Sequence, residues 1–117
     1  MRKLTIIYTT AVITAVVLFG ILNVDLIAGE QDSKIHTVEI RQFQFSPKEL
    51  EVSPGDKIVW VNFDLVPHTV TANDESWDSQ LINSNAKWEM VVQEETFTDY
   101  YCRFHTTMKG QLKIDKK

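Results

Sequence analysis

The chain has 117 residues, which favours a single domain once any targeting segment is set aside. Residues 30–117 carry 10 Lys and Arg against 15 Asp and Glu, and this mild acidic excess argues against nucleic acid, which needs a clustered positive surface. Cys102 is the only cysteine, so no internal disulfide can form and the thiol needs another explanation.

Met1, Arg2 and Lys3 place positive charge ahead of an uncharged run from Leu4 to Val24. The run exceeds the usual core of a signal peptide and is just long enough to span a bilayer. Residues 1–29 therefore read as a signal peptide or transmembrane anchor, with length leaning toward an anchoring hydrophobic helix. The charge bias puts the N-terminus in the cytoplasm and the rest of the chain outside it. In an exported domain, an unpaired cysteine is open to oxidation unless something occupies it, and a metal is one such occupant.

Residues 30–117 are expected to fold as one all-β domain. His36–Phe45 predicts a first strand, broken by Ser46-Pro47, and Glu49–Val52 a second. Ser53-Pro54-Gly55-Asp56 is a strong turn signal, since Pro presets φ and Gly accepts positive φ. Lys57–Phe63 is apolar on both faces and predicts a central strand. Leu65-Val66-Pro67 marks a bend, and His68–Ala72 predicts a strand. Asn73–Asn85 reads as a polar loop, with Trp77 and Leu81 folding back on the core. Further strands are expected at Lys87–Val92, Thr96–Cys102 and Gly110–Asp115. Seven or eight short strands punctuated by turns predict a Greek-key β-sandwich. Trp60, Trp88, Phe63 and Phe97 are assigned to its core, and His36, which lacks companions, to its surface.

The informative stretch is Cys102-Arg103-Phe104-His105-Thr106-Thr107-Met108, between two expected strands. A tight connection at that point brings side chains three residues apart toward one centre. His68, behind Pro67 at a bend, is placed to supply a further ligand from the end of the sandwich. One thiolate, two imidazoles and a thioether form the trigonal Cys-His₂ set with a weak axial Met that suits copper. Zinc gains little from a thioether and more often takes a fourth Cys, His or carboxylate. The reading is one copper ion per chain.

PHTV (67–70), WDSQL (77–81), YYCRFHTTMKGQLKI (100–114) and the upstream FSPKELEVSPGDKIVWVNFD (45–64) together resemble the plastocyanin/azurin group of cupredoxins. The Cys-x₂-His-x₂-Met spacing is most similar to the amicyanins. The resemblance covers about Val38 to Ile114 and places the family's four copper ligands on His68, Cys102, His105 and Met108, with Met108 axial. Three departures stand out, one of them an unusual Arg103 directly after the cysteine. Thr69 occupies the position where many members have an Asn that braces the ligand loop, and Thr106 follows the second His where amicyanin-like loops commonly have Pro.

The resemblance implies a blue-copper shuttle cycling Cu(II)/Cu(I) outside the cytoplasmic membrane, with the edge of His105 as the point of electron exchange. Four protein ligands leave no open position for substrate, and no catalytic triad, carboxylate pair or phosphate loop is present, so an enzyme is not expected. Leu65, Pro67, Phe104, Thr106 and Thr107 are expected to form a weakly polar collar suited to brief docking of a redox donor and acceptor. The domain is expected to be monomeric, held to the membrane through residues 4–24 if these are uncleaved. The alternatives are a periplasmic copper carrier and a metal-free adhesion module. With three His and three Met, including Met1, one closed site is favoured over an open carrier array.

Overall fold

A computed structural model describes residues 32–116. The hydrophobic helix expected over residues 4–24, and the targeting segment 1–29 that contains it, lie outside the described residues. Among those described there is no helix, and eight strands form two four-stranded sheets.

The first sheet has the order β2-β1-β4-β6, built from β1 (Ile35–Arg41), β2 (Gln44–Ser46), β4 (Lys57–Asn62) and β6 (Lys87–Val91). β4 runs parallel to β1 and antiparallel to β6. Its interior place accounts for its continuous apolar run: Ile58, Trp60 and Asn62 are buried while Val59 and Val61 are partly covered. The second sheet has the order β3-β8-β7-β5, from β3 (Glu49–Val52), β5 (Thr71–Ala72), β7 (Asp99–Tyr101) and β8 (Lys109–Ile114). Period-two alternation sends Val38, Ile40, Ile58 and Trp60 of the first sheet, and Val52, Tyr100 and Leu112 of the second, into one shared core. Gly110 is required there. The ring of Tyr100 lies across it, and a Cβ at that position would fall 2.2 Å from Tyr100 Cζ.

Several expectations need correction. The single strand expected over 36–45 is a hairpin, because Gln42 and Phe43 take left-handed backbone (φ 52° and 59°) and their N–H groups donate to the carboxylate of Asp64 at 2.7 and 3.0 Å. Of the strand expected over 68–72, only Thr71 and Ala72 join the sheet. His68 instead makes a two-hydrogen-bond bridge to Ile82. Trp77 does fold back, stacking on Trp88 with centroids 6.1 Å apart, but Leu81 is exposed and Ile82 takes the buried place. Phe63 and Phe97 are partly exposed, and Phe63 carries the guanidinium of Arg41 over its ring at 3.8 Å. His36 is paired with buried Asp56 at 2.8 Å, so it fastens a turn as well as facing solvent.

Candidate metal centre

The site is built at one end of the sandwich by two chain segments. The first, 62–70, connects β4 to β5 and is shaped by the buried amide of Asn62. Its Nδ2 donates to the carbonyls of Val66 and Ile82, both at 2.9 Å, and its Oδ1 accepts from the Asp64 N–H. The bend at Val66-Pro67 then delivers His68 fully buried beneath the sheet end. The second segment connects β7 to β8. The His105 N–H donates to the carbonyl of Cys102, the Met108 N–H to that of His105, and the Cys102 N–H to that of Met108. Three backbone bonds thus fold residues 102–108 into consecutive turns, with Cys102 and Met108 inside and His105 half-exposed.

These segments bring one atom from each of three side chains together. Cys102 Sγ lies 3.7 Å from His68 Nδ1 and 3.8 Å from His105 Nδ1, and the three donor atoms all lie within 4.8 Å of one another. Metal–thiolate and metal–imidazole bonds of about 2.3 and 2.0 Å, at a trigonal angle, require a sulfur–nitrogen separation of about 3.7 Å. The protein holds that separation for both histidines, as an ion shared by the thiolate and each imidazole requires. The donors, one soft thiolate and two imidazoles, are those copper takes in both oxidation states. Met108, the remaining residue expected at the site, is buried in the same core cluster as Cys102.

Each group is oriented by neighbours. His68 Nε2 lies 2.9 Å from Asp64 Oδ2. Burial would raise the Asp64 carboxyl, but hydrogen bonds from the Phe43 and Gln42 N–H groups and from His68 hold it below its ordinary value. Facing a carboxylate, Nε2 carries the proton and Nδ1 keeps its lone pair for a metal. The Thr69 N–H points at Cys102 Sγ at 3.4 Å. Thr69, standing where Asn is commoner, still braces the ligand loop, since its Oγ1 accepts from the Arg103 N–H at 2.9 Å. Phe43 meets both imidazoles edge-on, with centroids 5.3 Å from His68 and 4.7 Å from His105.

Asp64 and Phe43 are absent from the residues expected at the site. A carboxylate four residues ahead of His68, across a Pro bend, is a signal that points to Asp64. Nothing local points to Phe43, which reaches the site because the β1–β2 hairpin folds over it. The expected collar residues Leu65, Pro67, Phe104, Thr106 and Thr107 are all exposed.

A two-sheet sandwich with a Cys-His₂ cluster at one end, two of its three members buried, defines a copper protein of the cupredoxin class. The chain belongs to the plastocyanin/azurin family of copper binding proteins, whose family model matches residues 33–115. Amicyanin from Paracoccus denitrificans is 23% identical over 83 residues, and amicyanin from Paracoccus versutus 20% over 83. Each match takes 67% of this chain and spans 63% of the relative's length. Among solved structures, a purple cupredoxin from Nitrosopumilus maritimus superposes with a TM-score of 0.64 at 26% identity, covering 68% of this chain and 99% of that one. The Cu(I) form of an amicyanin mutant gives 0.64 at 23% identity, covering 74% and 87%.

Proposed function

We propose that the protein is a blue-copper electron carrier working outside the cytoplasmic membrane, with His68, Cys102, His105 and Met108 as its ligands and residues 1–29 as its export signal or anchor. The observation that carries this reading is the matched pair of 3.7 and 3.8 Å sulfur–nitrogen separations, with His68 and Cys102 buried and His105 partly exposed. Copper bound there supplies a one-electron Cu(II)/Cu(I) couple. The protein contributes a frame that has no reason to move: Asp64 fixes the ring of His68, the backbone bonds of 102–108 fix His105, and Thr69 braces Cys102. Met108 would complete the set as a thioether donor. Four protein ligands leave no position for a substrate, which supports a carrier over an enzyme.

His105 is the ligand whose ring reaches the surface, and it is the contact point for partners. Around it Phe43 is 47% exposed, Phe104 58% and Leu65 93%, with Pro67, Thr106 and Thr107 also open to solvent. A small apolar collar of this kind favours brief encounters with a redox donor and acceptor, because rapid turnover needs weak binding. The carrier acts as a monomer.

Adding Cu(II) to the purified protein is expected to produce an intense visible band, because thiolate-to-copper charge transfer needs the Cys102 sulfur on the metal. Cys102→Ser should abolish the band, and Met108→Leu should keep it while moving the reduction potential. A faintly coloured wild-type complex would overturn the reading. Rapid surrender of copper to a mild chelator, with no reversible voltammetric wave, would replace it with a copper carrier.

A further inference from the structure

Four residues form a closed ring behind the thiolate. The Arg103 N–H donates to Thr69 Oγ1 at 2.9 Å. Thr69 Oγ1 lies 3.0 Å from Thr71 Oγ1, and the Thr71 hydroxyl donates to Asp78 Oδ1 at 3.1 Å. Asp78 Oδ2 then pairs with the guanidinium of the same Arg103 at 2.8 Å. The two threonine hydroxyls are buried, whereas the Arg103 side chain is partly exposed.

The proton directions follow from chemistry. A carboxylate only accepts, so Thr71 gives its single hydroxyl proton to Asp78. Thr71 then has only a lone pair for Thr69, so Thr69 donates to it. That leaves the Thr69 oxygen facing the Arg103 amide as an acceptor. Every bond in the chain therefore runs toward the charge of Asp78, an arrangement in which each hydrogen bond polarises the next. Reversing any link would leave a buried hydroxyl without an acceptor. Asp78 is itself fixed, accepting the Gln80 N–H at 2.9 Å and bridging the backbone of Thr71.

The ring joins the segment after His68 to the residue after Cys102, and Thr69 is the link in both. Its side chain holds Arg103 while its own N–H points at the Cys102 sulfur. We propose that Thr71 and Asp78 are positioning residues that hold the Thr69 N–H on the Cys102 thiolate and thereby set the reduction potential of the site. This rests on the copper reading above. An N–H directed at the sulfur draws electron density from it and favours the reduced ion. Hydrogen bonding around that sulfur is one of the means by which such potentials are tuned. An ion pair this exposed contributes little to stability, so the value of Asp78 lies in direction.

The test compares wild type with Thr71→Val, Thr71→Ser and Asp78→Asn. It reads the potential of the copper-loaded protein and the backbone amide exchange of Arg103 in the metal-free protein. Thr71→Val, which keeps shape and loses the hydroxyl, should lower the potential, shift the thiolate band and speed Arg103 exchange by about tenfold, the loss of one hydrogen bond. Thr71→Ser should restore all three toward wild type. Asp78→Asn reaches the same chain from the surface and guards against misfolding of the buried variant; it should shift the thiolate band and speed Arg103 exchange as Thr71→Val does, while its lost charge moves the potential in its own right. A coloured wild type whose Thr71→Val variant keeps its potential overturns this proposal alone, as does unchanged Arg103 exchange in Thr71→Val and Asp78→Asn. A wild type with no intense band overturns the copper reading instead.

Discussion

Asp64 gathers three donors from two parts of the chain: the N–H groups of Gln42 and Phe43 from the β1–β2 turn, and the ring of His68 from the bend below it. It therefore fixes the tautomer of a buried imidazole and at the same time holds Phe43 against both histidine rings. Asp64→Ala removes the acceptor for Nε2 and frees the hairpin tip. Copper affinity should fall by about 10- to 100-fold, the usual cost of losing such an outer partner, as read by competition with a chelator of known affinity. An unchanged affinity would show that packing alone orients His68. The convergence of His68, Cys102 and His105 is legible in sequence because residue type and short spacing carry it. Two of the three lie in one seven-residue loop, and a Pro bend marks the third. The roles of Asp64 and Phe43 are not legible, because each depends on a hairpin tip meeting a bend about 20 residues away in the chain.

Individual elements depend on comparable fastenings. Asp56, at the end of the 53–56 turn, accepts the Lys34 N–H at 2.9 Å, the Ser53 N–H at 3.0 Å and His36 Nε2 at 2.8 Å. It thus ties the start of β1 to the start of β4. Burial would raise its carboxyl, but these hydrogen bonds and the neighbouring His36 bring it down to about 2. A carboxyl depressed on folding adds stability that is fully present above its unfolded value and is lost as pH falls through the folded one. After allowance for screening, that contribution is about 1–2 kcal/mol. Wild type should therefore exceed Asp56→Asn in urea midpoint near pH 6, and the gap should close as pH drops from about 4 to 2. A gap independent of pH would assign the effect to shape alone. The turn itself is readable from Ser-Pro-Gly-Asp, and β4 from its unbroken apolar run. The split of the first strand into β1 and β2 is not, since Gln42 and Phe43 are unremarkable turn residues until Asp64 supplies acceptors for their amides.

Across the whole molecule, the binding site and the fold are linked. His68 and Cys102 belong to different sheet connections, so an ion held between them binds the folded state and not the unfolded chain. Saturation at 100 times the dissociation constant adds about 2.7 kcal/mol, which for a domain of this size corresponds to a rise in melting temperature of about 10–20 °C. Calorimetry with and without copper measures it, and an unmoved transition would favour a metal-free module. The two-sheet architecture is legible at this scale because eight short strands divided by strong turns have few ways to bury both faces. The order of strands is not, since the parallel pairs β1·β4 and β3·β8 join segments far apart in sequence.

That order has a bearing on how the centre comes into being. β8 is seated between β3 and β7, so the loop carrying Cys102 and His105 is tethered at its far end only when that strand is docked beside β3, a segment from much earlier in the chain. Until then the thiol hangs from a loose strand end, and the Met108 carbonyl that receives the Cys102 amide is not in place. An ion held between His68 and Cys102 therefore depends on β8 being in place: a chain with that strand undocked offers no nest for metal, and a loaded one certifies that it has docked.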